Sequence, residues 1–173
     1  MEAIITVGLP GCGKSTWAGR LPPEWVRLEH DAVRAVLHRD RTGRAFAWGE
    51  RDFSRGGEVQ RTRGESLARA IKARARLVVA DTNLNTRFRR LLAQQLLEAG
   101  YCLRYVFFDV AQETARARNA LRANPVQEEA YAKLLPGFSE ARQVLASEAL
   151  ELSAISPIGG NPPPSGGGGG QED

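Results

Sequence analysis

Gly8-Leu9-Pro10-Gly11-Cys12-Gly13-Lys14-Ser15 fits the pattern G-x-x-x-x-G-K-[ST] at every fixed position. An apolar run, Ala3–Val7, leads into it, and a helical pattern, Lys14–Leu21, leads out of it. This strand–loop–helix setting distinguishes a phosphate-binding loop from a glycine-rich turn. Gly8, Gly11 and Gly13 let successive backbone N–H groups turn inward around a phosphate, with Pro10, Cys12 and Thr16 completing the wrap. Lys14 brings a positive charge to the β- and γ-phosphates, and Ser15 offers its hydroxyl to Mg²⁺. The helix that follows adds the positive end of its dipole. Cys12 sits at a variable position and reads as a spacer, not a nucleophile. Trp17 reads as a core anchor under the loop. Such a loop specifies a nucleoside triphosphate but not a reaction. No Asn/Thr-Lys-x-Asp guanine motif is present, so the expected cofactors are ATP and Mg²⁺.

Outward from the loop, apolar runs alternate with helical patterns. Strands are expected at Ala3–Val7, Trp25–Glu29, Leu77–Ala80 and Leu103–Val110, with a short last one at Leu152–Ile155. Further helices are expected at Asp31–His38, Glu58–Ala75, Thr86–Ala99, Ala111–Ala123, Val126–Leu135 and Ser139–Leu150. Gly100 closes the helix before it, Pro125 splits its two neighbours, and Ser139 is the expected N-cap of the last. Residues 39–57, rich in Arg and Gly, read as irregular or as a broken helix. The alternation implies βαβ units: an α/β fold with a parallel sheet of four to five strands and helices on both faces. Ligands of such sheets lie beyond the carboxyl ends of the strands. That rule points to Gly8–Thr16, His30–Arg34, Asp81–Asn85 and Asp109–Val110.

The 173 residues suit one domain, expected over 1–156, followed by a Gly/Pro-rich tail over 157–173 that is expected to be disordered. No apolar run is long enough for a membrane helix, and the N-terminus lacks the features of a secretory signal. Cys12 and Cys102 have no CxxC or CxxH spacing, which argues against structural zinc and disulfides and fits a reducing cytoplasm. Basic residues outnumber acidic ones 24 to 20. A basic body suits an anionic partner such as nucleic acid. The imbalance is carried by arginine, 21 against 3 lysines. A GC-rich genome produces that ratio without any functional cause.

The second and third strand ends carry candidate chemistry. Asp31 and Arg34 are three apart, so they share one face of a helix start. A carboxylate there can take the proton of an attacking hydroxyl, and an arginine beside it can hold an anionic substrate. The same two residues also suit an N-cap and a surface ion pair. In Asp81-Thr82-Asn83-Leu84-Asn85, the strand-terminal Asp81 suits the orientation of a metal-bound water or a partner arginine. Thr82 and Asn83 add donors, and Asn85 is the expected cap of the next helix.

Together these patches resemble the kinase domain of phage-type polynucleotide 5′-kinases. The resemblance rests on Ile5–Ala18, on Asp31-x-x-Arg34, and on Asp81-Thr82-Asn83-Leu84-Asn85 followed by Arg89-Arg90. It extends through Val106-Phe107-Phe108-Asp109-Val110 and Arg116-x-Arg118-Asn119-x-x-Arg122, and spans roughly residues 3–135. It implies a P-loop kinase fold and ATP-dependent phosphoryl transfer to the 5′-OH end of DNA or RNA. It also implies a cytoplasmic location, in the host if the chain is phage-encoded. By the same resemblance, Asp31 is the general base, Arg34 binds the acceptor phosphate, Asp81 orients Arg34, and Thr82 and Asn83 lie at the acceptor. Lys14 and Arg122 act in catalysis, and Arg118 and Arg122 close over ATP. A solvated basic helix face is the plain alternative for the lid. Like charges at i, i+4 are unfavourable unless an anion lies between them.

The segment Arg39–Gly57 matches least. Its arginines, with Phe46, Trp48 and Phe53, suit either a single-strand groove or a core with codon bias. Three functions are therefore carried forward. The first is transfer to a polynucleotide hydroxyl. The second is transfer to a hydroxymethylated base, a nucleoside or a nucleotide sugar. The third is an ATP-regulated nucleic-acid-binding module without transfer.

Overall fold

Every apolar run read as a main strand joins one sheet. Strands β1 (Glu2–Val7), β2 (Trp25–Leu28), β3 (Arg76–Val79) and β4 (Cys102–Phe107) run in the order β2-β3-β1-β4, and all neighbours are parallel. The computed structural model describes residues 1–47 and 56–153, and these four strands are the sheet among them. Among the described residues, seven helices connect and flank the strands: α1 (Lys14–Ala18), α2 (His30–Thr42), α3 (Gly56–Lys72), α4 (Thr86–Glu98), α5 (Gln112–Ala120), α6 (Glu128–Ala132) and α7 (Leu135–Ser153).

The largely apolar sequence of β1 follows from its place. It pairs with β3 on one side and β4 on the other, and Ala3 through Val7 are all buried. Alternate side chains leave it for opposite faces. Ala3, Ile5 and Val7 join Leu77, Val79, Leu67 of α3, Leu96 of α4 and Phe138 of α7. Ile4 packs with Val78, Ala80 and Ala18 on the other face, against Trp17 of α1. Trp17 thus anchors the loop from below, edge-on to Phe108 at 5.9 Å. A strand buried on both faces is nearly continuously apolar; the exception, Thr6, donates from its hydroxyl to the Asp81 carbonyl at 3.1 Å.

Several boundaries depart from expectation. Helix α2 continues through Arg39–Thr42 instead of breaking, and ends at Gly43 (φ 69°), whose N–H donates to the Arg39 carbonyl at 2.8 Å. The start of the arginine-rich segment is therefore helix. Helix α7 begins at Leu135, so Ser139 lies inside it and is not its N-cap. Leu152 and Ser153 are its last turn, not the start of a strand. Residues 154 and 155, the tail over 157–173, and Trp48 and Phe53 of the suggested groove lie outside the described residues. No helix among the described residues is long and apolar enough to cross a membrane.

One polar contact fastens the helical layer. Arg89 of α4 is buried and donates from Nε (3.0 Å) and Nη2 (2.6 Å) to Glu148 of α7. Its Nη1 donates to the Asn83 carbonyl at 2.8 Å, and Arg90 reaches the other Glu148 oxygen at 2.9 Å. The loop after β3 is thereby tied to two helices. Arg89 belongs to the stretch that resembles a kinase, yet its role in this fold is structural.

Candidate active site

The first, second and third strand ends meet at a cleft of about 950 Å³. Its floor is the loop between β1 and α1. Gly11 (φ 83°) and Gly13 (φ 100°) adopt left-handed backbone that favours glycine. A Cβ on Gly11 would stand 2.2 Å from the Ala115 carbonyl oxygen of α5, so the loop and α5 touch backbone to backbone. The Gly8 N–H donates to the Thr82 carbonyl at 3.0 Å, which fixes the loop to the end of β3. Helix α1 has only five residues. Its loop N–H groups, more than a long dipole, are what it offers an anion.

Lys14 is buried and folds back on its own loop. Nζ donates to the Gly8 carbonyl (2.8 Å), the Leu9 carbonyl (2.6 Å) and the Cys12 sulfur (3.3 Å). Burial pulls its pKa down, and the nearby Cys12 thiol pushes back. Cys12 is thus more than a spacer: its buried sulfur contacts the loop lysine. Ser15 and Thr16 are exposed and line the cleft.

The start of α2 forms one wall. The helix begins at His30, with Glu29 at the N-cap position, so Asp31 lies in the first turn and is not a cap. Its carboxylate accepts from Arg34 Nη1 at 2.6 Å, and both residues line the cleft. The ion pair and the shared site are therefore realised together. Asp81 does not orient Arg34. Its Oδ1 accepts the His30 backbone N–H at 2.7 Å, and its Oδ2 meets His30 Nδ1 at 2.7 Å and Arg63 Nε of α3 at 3.2 Å. Burial pushes the Asp81 carboxyl up, but the His30 bonds and charge and the Arg63 guanidinium outweigh it and hold the pKa low. Thr82 lines the cleft. Asn83 does not: its amide donates to the carbonyls of Thr6, Val79 and Asp81 and braces the strand ends. Asn85 caps α4 as expected, accepting from Phe88 N–H at 3.1 Å.

Arg118 and Arg122 line the same cleft. Helix α5 stops at Ala120, so Arg122 stands on the turn beyond it and the pair is not stacked along one helix. Arg116 points elsewhere, pairing with Glu128 at 3.1 Å over the Tyr131 ring. Asn119 is buried and bonds both backbone groups of Val126, donating at 2.9 Å and accepting at 3.1 Å. That closes the turn carrying Arg122. The fourth strand end gives Phe108 to the cleft, while Asp109 is paired with Arg142 of α7.

Cleft residues to which the sequence assigned no role include Glu29, His30 and Gln60, with Arg63 bound to Asp81 beside them. Glu29 and His30 flank the Asp-x-x-Arg signal but match no motif. Gln60 and Arg63 come from a helix whose pattern reports only its buried face. Burial pushes the Glu29 carboxyl up against the pull of Arg27. Among the described residues no cluster of three His, Cys, Asp or Glu side chains could hold a metal. A divalent ion here would draw on the Ser15 hydroxyl and on ligand oxygens, as Mg²⁺ at phosphates does.

A family model described as AAA domain (AAA_33) matches residues 4–141. A "putative bifunctional polynucleotide kinase/RNA ligase" of Autographa californica nuclear polyhedrosis virus is 32% identical over 128 residues, 71% of this chain and 18% of that protein. Among solved structures, a chain of the "Pnkp1/Rnl/Hen1 complex" aligns with a TM-score of 0.56 at 22% identity, over 73% of this chain and 41% of that one. A chain of the "Pnkp1/Rnl/Hen1 RNA repair complex" aligns with a TM-score of 0.59 at 19% identity, over 82% and 45%. This chain thus spans under a fifth of the viral relative and less than half of each solved chain. The loop, the parallel sheet and the matched family model together place it: the chain belongs to the AAA domain family and carries the P-loop kinase fold.

Proposed function

We propose that this chain transfers the γ-phosphoryl group of ATP to a hydroxyl of a polynucleotide, foremost the 5′-OH end of DNA or RNA. One observation carries the reading. Asp31, the candidate base, lines the same cleft as the Lys14–Ser15 loop and the two lid arginines. The viral relative named as a polynucleotide kinase/RNA ligase supports the choice of acceptor. In this reading Asp31 accepts the hydroxyl proton as its oxygen attacks the γ-phosphorus. The bond from that phosphorus to the β–γ bridging oxygen breaks, and ADP leaves. Lys14, Arg118 and Arg122 surround the transferred group with positive charge. Ser15 fits a Mg²⁺ ion, which when bound neutralises phosphate charge. Arg34, Asp81 and Thr82 form the acceptor side, with Arg34 held by Asp31 in the resting site.

The test is a transfer assay with γ-labelled ATP against a 5′-OH oligodeoxynucleotide, a 5′-OH oligoribonucleotide, a nucleoside, a hydroxymethylated-base duplex and a nucleotide sugar. Label on an oligonucleotide end is the expected result. Label only on one of the other acceptors moves the activity to that class. Salt-sensitive oligonucleotide binding without any labelled product makes the chain a binding module. Asp31→Asn should keep ATP affinity and lose transfer by at least about 10²-fold, the usual share of a general base.

A further inference from the structure

We propose that His30 is an acceptor-binding residue, its imidazole clamped by Asp81 so that Nε2 donates to the phosphodiester beside the acceptor hydroxyl. This rests on the polynucleotide reading above and names the group that would recognise the chain of the acceptor. Both oxygens of Asp81 are committed to His30, one to its backbone N–H and one to Nδ1, each at 2.7 Å. The residue is held at main chain and side chain together, so its ring cannot turn. Arg63 presses on the same carboxylate from α3 at 3.2 Å.

The far edge of the ring is less satisfied. Nε2 meets Gln60 Oε1 at 3.4 Å, at the long limit for a hydrogen bond, and both residues line the cleft. An oxygen atom faces each ring nitrogen, Asp81 Oδ2 at Nδ1 and Gln60 Oε1 at Nε2, so a ring that carries hydrogen on both nitrogens can donate from both sides. A donor of that kind, next in sequence to Asp31 and near Arg34, suits an anionic oxygen. Asp81 then acts on the acceptor through His30 and is a positioning residue.

The test compares His30→Asn, His30→Ala and Asp81→Asn in the full chain, with a 5′-OH oligodeoxynucleotide and with a nucleoside that lacks a phosphate. Asparagine can keep a bond from the position of Nδ1 to Asp81 but offers nothing at Nε2. The oligonucleotide KM should rise about tenfold or more in both His30 variants, as for a lost charge-assisted hydrogen bond. Their kcat, the nucleoside KM and the ADP affinity should stay within about threefold of wild type, on the same scale of free energy. Asp81→Asn combined with His30→Ala should cost no more in KM than the worse single variant. The chain has only two histidines, so ¹⁵N-histidine spectra of wild type isolate the His30 ring by its absence in His30→Asn. Its Nε2 resonance should move when the oligonucleotide is added with ADP.

A wild-type oligonucleotide KM in His30→Asn, or an unmoved Nε2 resonance, overturns the proposal while leaving the kinase reading intact. Wild-type protein that labels no polynucleotide overturns both.

Discussion

Gly11 and Gly13 share a left-handed backbone but not their surroundings. A Cβ on Gly13 meets nothing within 4 Å, whereas one on Gly11 strikes the Ala115 carbonyl and the Asn119 N–H. Gly13→Ala should therefore cost only the backbone strain, about 1–2 kcal/mol per residue, and chemical denaturation will read it. Gly11→Ala must also push α5 and its arginines off the loop. Its ADP affinity, titrated by fluorescence, should fall at least about tenfold below that of Gly13→Ala, the equivalent of 1.4 kcal/mol. Equal losses would mean that the loop does not depend on its seat against α5. The pattern of glycines was legible because spacing alone states it. The seat of Gly11 was not, because it depends on a helix distant in sequence. The same holds for Lys14: its identity marks the loop, but its bonds to Gly8, Leu9 and Cys12 depend on how the loop closes.

Among the elements, the strands were readable, and the segment of Arg118 and Arg122 was marked by its arginines but not by what shapes its turn. Burial on both faces writes Ala3–Val7, apart from Thr6, and Leu77–Val79 as apolar runs, and Gly100 marks the end of α4 by its left-handed turn. The turn after α5 depends on Asn119, whose side chain replaces a backbone partner for Val126, and no periodicity announces such a residue. Asn119→Ala leaves that buried N–H and C=O unpaired, at about 1–3 kcal/mol each. The turn carrying Arg122 should loosen. ATP affinity should fall while Asp31 and Arg34 stay in place, so the KM for ATP rises more than the KM for the acceptor. A second element test concerns the α4–α7 clasp. Arg89→Met leaves Glu148 charged and buried with only Arg90, which should cost about 3–5 kcal/mol in denaturant unfolding. Adding Glu148→Leu should recover most of that, since an apolar pair of similar size packs there without desolvated charge. If the double variant stays as weak as the single one, the clasp contributes more than its burial cost.

Across the whole molecule, the sheet order places β1 between β3 and β4 and gathers loops distant in sequence at one edge. Asp81 is where that gathering is enforced. It follows β3, grips the first residue of α2 and draws in Arg63 of α3. The sequence pattern marked this aspartate, but the resemblance pointed it at Arg34. His30 intervenes here because its ring and its backbone N–H both reach the carboxylate. The assembly also has a signature in pH. Burial opposes ionisation of Asp81, yet His30 and Arg63 hold its folded pKa below the ordinary value of 3.8. The unfolded chain therefore binds a proton at this site before the folded chain does. Its contribution to stability is fully present above the ordinary carboxylate range and is lost as pH falls through the folded pKa. Asp81→Asn removes that dependence. Unfolding free energies measured from pH 7 down to pH 2 should show a shallower acid loss in Asp81→Asn than in wild type. The variant should be the weaker protein at neutral pH, where His30 and Arg63 lose their anion, and the gap should narrow toward pH 2. Parallel curves would show that the carboxylate does not tie β3, α2 and α3 together.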